Sequence, residues 1–203
     1  MLFRSQRPVP VPGDEDALVR VRACGVCGTD LKIIHDGMPD MPPYGEFIFG
    51  HEYAGDIVAV GRTVDEFKVG DRVVVEAHMG CRRCENCIRG LYTACLNYGN
   101  IKRGHRANGF TTNGGLAEYA LNHVNTLYRI PADVAHAVRR NITIYTERGE
   151  GGTSVGRALA LLAAGRLTAK PLITHQFPLA RVHEAMDVLE KRIGDPVKVI
   201  LNT

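Results

Sequence analysis

Cys81-Arg82-Arg83-Cys84-Glu85-Asn86-Cys87, followed by Cys95, sets four thiols within fifteen residues, with two, two and seven residues between them. Four thiolates at ~2.3 Å close a tetrahedral shell around a d¹⁰ ion such as zinc, and short knuckles let successive cysteines converge on it. Protein then fills every ligand position, so such an ion staples a loop too polar to fold alone and leaves no place for a substrate. Cysteines that merely pack as small hydrophobes would explain the residue type but not the crowding.

A second group lies between residues 24 and 52. Cys27, His51 and Glu52 supply a thiolate, an imidazole and a carboxylate, a mixed set of the kind that binds a catalytic zinc with one position open. Two plainer readings stand beside it: His51 and Glu52 as a hydrogen-bonded structural pair, and Cys24-x-x-Cys27 as a redox pair. The motif follows an alternating strand with no βαβ pattern around it, which tells against the redox reading.

The elements that must position these groups are mostly strands. Up to Pro131, glycines and prolines punctuate short segments of period two. Ala17 to Ala23 sets Val19, Val21 and Ala23 opposite Arg20 and Arg22, and Asp56 to Val60, Arg72 to Glu76, Leu116 to Ala120 and Val124 to Ile130 read as strands likewise. Such a series suggests a closed or partly open barrel. After it, Arg157 to Leu167 is rich in helix formers, Val182, Ala185, Met186 and Leu189 fall on one helical face ending near Gly194, and Val197 to Leu201 is an apolar run of strand length. The expected architecture is mainly β with α: a barrel, then helices and a strand, without a complete Rossmann sheet.

Composition excludes several classes. The chain has 203 residues, 45% apolar and 23% charged, with a net charge of +3, so disorder is not its dominant state and its charge gives little purchase on nucleic acid or membrane. Arg82, Arg83, Arg89, Lys102, Arg103 and Arg106 surround the four-cysteine lobe without an aromatic stacking run, which reads as a solvated basic loop. No apolar stretch approaches ~18 residues and the N-terminus lacks an apolar signal core, so a cytoplasmic location is expected.

Taken in order, Gly25-Val26-Cys27-Gly28-Thr29-Asp30, Gly50-His51-Glu52 with Gly55 and Gly61, Val69-Gly70-Asp71-Arg72-Val73, the four-cysteine lobe and Gly114-Gly115-Leu116-Ala117-Glu118-Tyr119 resemble the zinc-dependent medium-chain alcohol dehydrogenases. The resemblance covers about residues 1 to 134, as a GroES-like catalytic domain with its zinc lobe at about 78 to 100. It continues after residue 141, with Asn141-Ile142-Thr143-Ile144-Tyr145, Gly165-Arg166-Leu167 and Ile173-Thr174-His175 matching the family's C-terminal segment. It implies that Cys81, Cys84, Cys87 and Cys95 hold a structural zinc, and that Cys27 and His51 are catalytic-zinc ligands with Glu52 beside them or among them. It also implies that Thr29 passes the substrate proton outward and that Asp30 holds the ligand imidazole from behind. Cys24 matches no ligand and reads as a buried thiol. Lys32 stands where relatives place a relay histidine, and His35 reads as a surface residue.

The family's nucleotide-binding domain is what the chain lacks. Pro131-Ala132-Asp133-Val134 passes to Arg139-Arg140-Asn141 through a short basic junction at 135 to 140, where roughly 100 to 150 residues of a Rossmann domain would stand. Gly149-Glu150-Gly151-Gly152-Thr153-Ser154-Val155-Gly156 puts Ser154 where the third glycine of a dinucleotide fingerprint belongs, and reads as a turn before a helix. A further metal ligand would be lost with that domain, His136 being the nearby candidate replacement. The expectation is therefore a filled structural zinc site and a weak catalytic one, with no NAD(P) bound and no turnover. The family substrate would be a small polar alcohol, and the former domain interface would favour self-association. A non-enzymatic zinc-stabilised scaffold is the alternative.

Overall fold

The computed structural model describes residues 6–37, 42, 47–131 and 154–203. The expected junction at 135–140, His136, the β-branched run 141–146 and the glycines from 149 to 152 lie outside the described residues. The centre of the fold is β1 (Asp16–Val26), which pairs antiparallel with β2 (Glu52–Val60) along most of its length. β2 in turn carries β3 (Arg72–Val75), which pairs with β7 (Leu127–Arg129). The other edge of β1 is shared. Its first half meets β6 (Tyr119–His123), and Ala23 to Val26 meet β9 (Lys198–Asn202), beyond which β8 (Ile173–Pro178) runs parallel. A separate small ribbon joins β4 (His78–Met79) to β5 (Arg106–Ala107).

The sheet is open, ending at β7 and β8, and the protein is mixed α/β with strands dominant. The period-two pattern of β1 holds through Arg22: Val19 and Val21 are buried while Arg20 and Arg22 face solvent. A bulge between Val21 and Ala23 interrupts the register with β2, and from Cys24 to Val26 every residue is buried. Bulges bend a strand and re-aim its side chains; here the change coincides with the point where β9 takes over from β6. Ala17, Val19, Val21, Tyr53, Ile57, Val73, Val75 and Leu127 form one core. Val74, of opposite parity on β3, faces a second core with Ile130, Val155 and Leu159. The last two belong to α3 (Ser154–Ala163), numbered after α1 (Gly28–Asp36) and α2 (Glu85–Ile88).

The C-terminal segment does more than pack on the preceding strands. β8, α4 (Val182–Glu190) and β9 make a βαβ unit that extends the same sheet, with Ala185, Met186 and Val188 buried against Val26, Val199 and Leu201. Strand boundaries depart from the sequence reading: β1 runs on to Val26 rather than Ala23, and β2 begins at Glu52 rather than Asp56. The expected Leu116–Ala120 strand is found at Tyr119–His123, because the N–H groups of Gly114, Gly115 and Leu116 bond to carbonyls of Ile48, Gly50 and Phe49 instead of a ladder. The Val124–Ile130 run opens with a 3₁₀ turn, Val124–Thr126, in which His123 Nδ1 accepts from Asn125 N at 3.1 Å, before β7 begins. The α1 helix was not foreseen.

Candidate metal centres

The four lobe cysteines converge. Their Sγ atoms all lie within 4.8 Å of one another, with Cys81 to Cys87 and Cys84 to Cys95 each 3.9 Å apart. Sulfurs ~2.3 Å from a tetrahedral ion are ~3.8 Å apart, so the quartet fits zinc without rearrangement. N–H groups point at the sulfurs as they would at thiolates. Cys81 Sγ accepts from Asn97 Nδ2 at 3.2 Å and from Cys84 N at 3.4 Å, and Cys95 Sγ accepts from Cys81 N and Asn97 N, both at 3.4 Å. Burial pushes the Cys81 thiol up, but these donors outweigh it and bring it down to about 6. Three of the six basic residues around the lobe pair with acids: Arg82 with Glu15 at 3.1 Å, Arg89 with Glu85 at 2.8 Å and Arg106 with Asp16 at 2.7 Å.

At the second centre, Cys27 follows the last residue of β1 and caps α1. Its Sγ accepts from Thr29 N at 3.3 Å while Asp30 Oδ2 accepts from Cys27 N at 2.9 Å, a capping box built on a thiol. The cap turns Cys27 Sγ to within 3.2 Å of His51 Nε2. A sulfur at ~2.3 Å and a nitrogen at ~2.0 Å from one tetrahedral ion are ~3.5 Å apart, so this pair fits a shared metal edge. Asp30, fully buried, has its other oxygen 3.4 Å from His51 Nδ1. Burial disfavours a charge on His51, yet its contacts with Asp30 and Cys27 win and push it up to about 10.

The loop carrying His51 is fixed from outside. Gly50 has φ +89°, and a Cβ on Gly114 would lie 2.1 Å from Gly50 O, so glycine is needed where the two backbones touch. Phe110 packs on the imidazole in a tilted arrangement, with ring centroids 4.4 Å apart.

The ligand atoms that converge here, among the described residues, are those of Cys27, Asp30 and His51; Glu52, expected beside or among the ligands, is not one of this group. Its Oε2 lies 2.7 Å from Lys198 Nζ, both side chains being more than nine-tenths buried. Thr29 stands half-buried at the start of α1. His35 is at the surface, 3.0 Å from Glu190. Cys24 is a buried thiol, as expected: burial pushes it well up, and it donates to Gly25 O at 3.6 Å. Sequence reasoning missed Lys198, although a lone lysine in the apolar run Val197 to Leu201 was its signal; Asn97 and Phe110 had none.

Open sheet, four-cysteine lobe and Cys/His pair together define a β-rich domain with two candidate metal centres. Residues 13–132 match the model of the alcohol dehydrogenase GroES-like domain, and the chain belongs to that family. It is 39% identical over 129 residues to the uncharacterized zinc-type alcohol dehydrogenase-like protein YphC of Escherichia coli, covering 61% of this chain and 35% of that one. It is 34% identical over 170 residues to alcohol dehydrogenase 1 of Emericella nidulans, covering 81% and 46%. An L-threonine 3-dehydrogenase of Shewanella baltica is 33% identical over 129 residues, covering 63% and 36%. The chain thus spans under half the length of these curated relatives. Among solved structures, the cobalt- and zinc-bound thermostable alcohol dehydrogenase of Pyrobaculum aerophilum superposes with TM-score 0.77 at 18% identity, covering 97% of this chain and 94% of that one. A zinc-binding dehydrogenase of Sinorhizobium meliloti bound to NADP gives 0.75 at 18%, covering 96% and 94%. No helix among the described residues is long and apolar enough to cross a membrane.

Proposed function

We propose that this chain is the zinc-binding catalytic part of an NAD(P)-dependent dehydrogenase acting on a small polar alcohol, polyol or threonine-like substrate, with the nucleotide-binding domain missing at 135 to 140. The observation that carries the reading is the Cys27 Sγ to His51 Nε2 separation of 3.2 Å with Asp30 buried behind the imidazole. A metal bound there supplies Lewis acidity towards an alcohol oxygen. The Asp30 carboxylate beside His51 Nδ1 favours the tautomer with its proton there and the Nε2 lone pair turned outward. The α1 cap holds Cys27 Sγ beside it, and the Thr29 hydroxyl takes the substrate proton towards solvent. Cys81, Cys84, Cys87 and Cys95 hold a second ion that fixes the lobe.

Hydride transfer also requires a cofactor held against the reacting carbon. In this reading the chain alone retains one zinc per molecule after dialysis, binds NAD(P)H no tighter than millimolar and does not turn over. The surface left by the missing domain favours self-association. Metal analysis with NADH fluorescence titration tests this. Micromolar NADH binding, or two zinc ions retained, refutes the missing-domain reading; loss of all zinc, or retained zinc unaffected by Cys84→Ser, refutes the lobe assignment.

A further inference from the structure

A cavity of about 210 Å³ lies between the cysteine lobe and the sheet, with Glu76, His78, Met79, Arg82, Tyr92 and Tyr128 in its wall. Glu76 follows β3, Tyr128 lies on β7 opposite Val74, and Tyr92 comes from the lobe, at the start of the 3₁₀ turn Tyr92–Ala94. Gly80 lets the lobe come this close: a Cβ there would lie 2.7 Å from Tyr92 Cβ and 2.4 Å from Cys87 Sγ. Both phenols turn to one carboxylate. Tyr92 Oη donates to Glu76 Oε1, and Tyr128 Oη donates to Glu76 Oε2 at 3.0 Å. Burial first, and then the neighbouring Glu76 carboxylate, pushes the Tyr128 phenol up to about 12 and raises Tyr92 above its ordinary value, so both keep their protons at neutral pH.

Glu76 is 7% exposed, and a buried charge is costly unless it is paired. Two neutral donors leave its charge uncompensated. Among the described residues no Lys, Arg or His forms an ion pair with it, and the guanidinium on the cavity wall, Arg82, pairs with Glu15 at 3.1 Å. Each carboxylate oxygen has two lone pairs, so acceptor capacity remains on both beside the phenols. Much of the remaining wall is aromatic: Tyr92, Tyr128 and His78, whose ring stacks on Phe110 with centroids 5.4 Å apart. Aromatic rings attract a desolvated cation through their quadrupole. We propose that this cavity binds a small primary alkylammonium ion, its charge met by Glu76 and its alkyl part lodged among Tyr92, Tyr128 and Met79. The unused acceptor sites call for N–H donors, which a quaternary ammonium lacks. Neither Cys27 nor His51 lines the cavity, so the inference stands apart from the reading of that pair as metal ligands.

The test is an NMR titration of the full chain, with zinc filling the lobe and the tyrosine rings isotope-labelled; Tyr92→Phe and Tyr128→Phe assign the two signals. Propylammonium chloride is expected to shift both signals saturably at millimolar concentration. Tetramethylammonium chloride should bind about tenfold more weakly or worse, because it offers no N–H to the carboxylate. Neutral n-propanol, and sodium chloride at matched ionic strength, should leave both signals unmoved. Glu76→Gln should weaken propylammonium binding by about tenfold or more, since a charged partner becomes a neutral one. The absence of a saturable shift with propylammonium overturns the inference, as does an equal response to n-propanol or tetramethylammonium, or undiminished binding in Glu76→Gln. Should Glu76→Gln not fold, the four probes on the unmodified chain decide alone.

Discussion

Asp30→Asn separates the two tasks that one buried carboxylate performs. The side chain is fully buried, accepts from Cys27 N at 2.9 Å and faces His51 Nδ1 at 3.4 Å. Hydrogen bonds to a charged group contribute about 1.5–3 kcal/mol each. Asparagine keeps the shape and one carbonyl oxygen, so it retains one of the two contacts and presents an NH₂ to the other. The expected loss of fold stability is therefore about 2–3 kcal/mol, a drop of about 1 M in urea midpoint for a chain of this class. The carboxylate is also a principal reason that the metal-free His51 is pushed up to about 10, so the variant should titrate lower. Metal affinity at Cys27 and His51 should fall about 10–100-fold, equivalent to about 1.4–2.7 kcal/mol, because the imidazole loses the partner that fixes its tautomer. Urea unfolding with the lobe zinc-loaded, an NMR titration of His51 and competition against a chelating dye read the three effects. An unchanged midpoint together with metal affinity within twofold of the parent would refute the role given to Asp30.

Three further outcomes are expected. Cys84→Ser replaces one of four converging thiolates, so the zinc that survives dialysis should be lost and the 81–105 lobe should become protease-sensitive; metal analysis and limited proteolysis check this. Burial holds His105 below its ordinary value of 6.5, and its Nδ1 accepts from Gly99 N at 3.2 Å. The unfolded chain therefore takes that proton more readily, so the contribution of His105 is full above pH ~6.5 and is lost as the pH falls. Urea midpoints between pH 5 and 8 should show a flatter acid slope in His105→Gln than in the parent. Leu159→Ala removes the main α3 contact with Val74 and Ile130, and thermal or urea unfolding should show a loss of about 2–5 kcal/mol. A loss under about 0.5 kcal/mol would mean that α3 does not share the core of the sheet.

The residue patterns carried much of this protein. Four cysteines within fifteen residues were legible as a candidate closed metal site because tetrahedral closure needs only local chain, and the fold brings their sulfurs together. The alternation of β1 was legible as far as Arg22 because one face of that strand meets solvent. Cys27 and His51 were legible as candidates by residue type, and the cap on α1 follows a Cys-x-x-Asp spacing that could have been read as a capping box had thiol been counted among capping groups. Tertiary structure decided what depends on residues distant in sequence. The strand expected from Leu116 moved because its N–H groups were taken by the loop before His51, a competition invisible in local propensity. Glu52 meets Lys198, 146 positions away, because the terminal strand is hydrogen-bonded beside β1. Sequence determined which groups could bind a metal, because coordination chemistry resides in residue types; the sheet decided which neighbours those groups meet, Glu52 pairing with Lys198, because a buried charge goes to whichever partner the fold brings within reach.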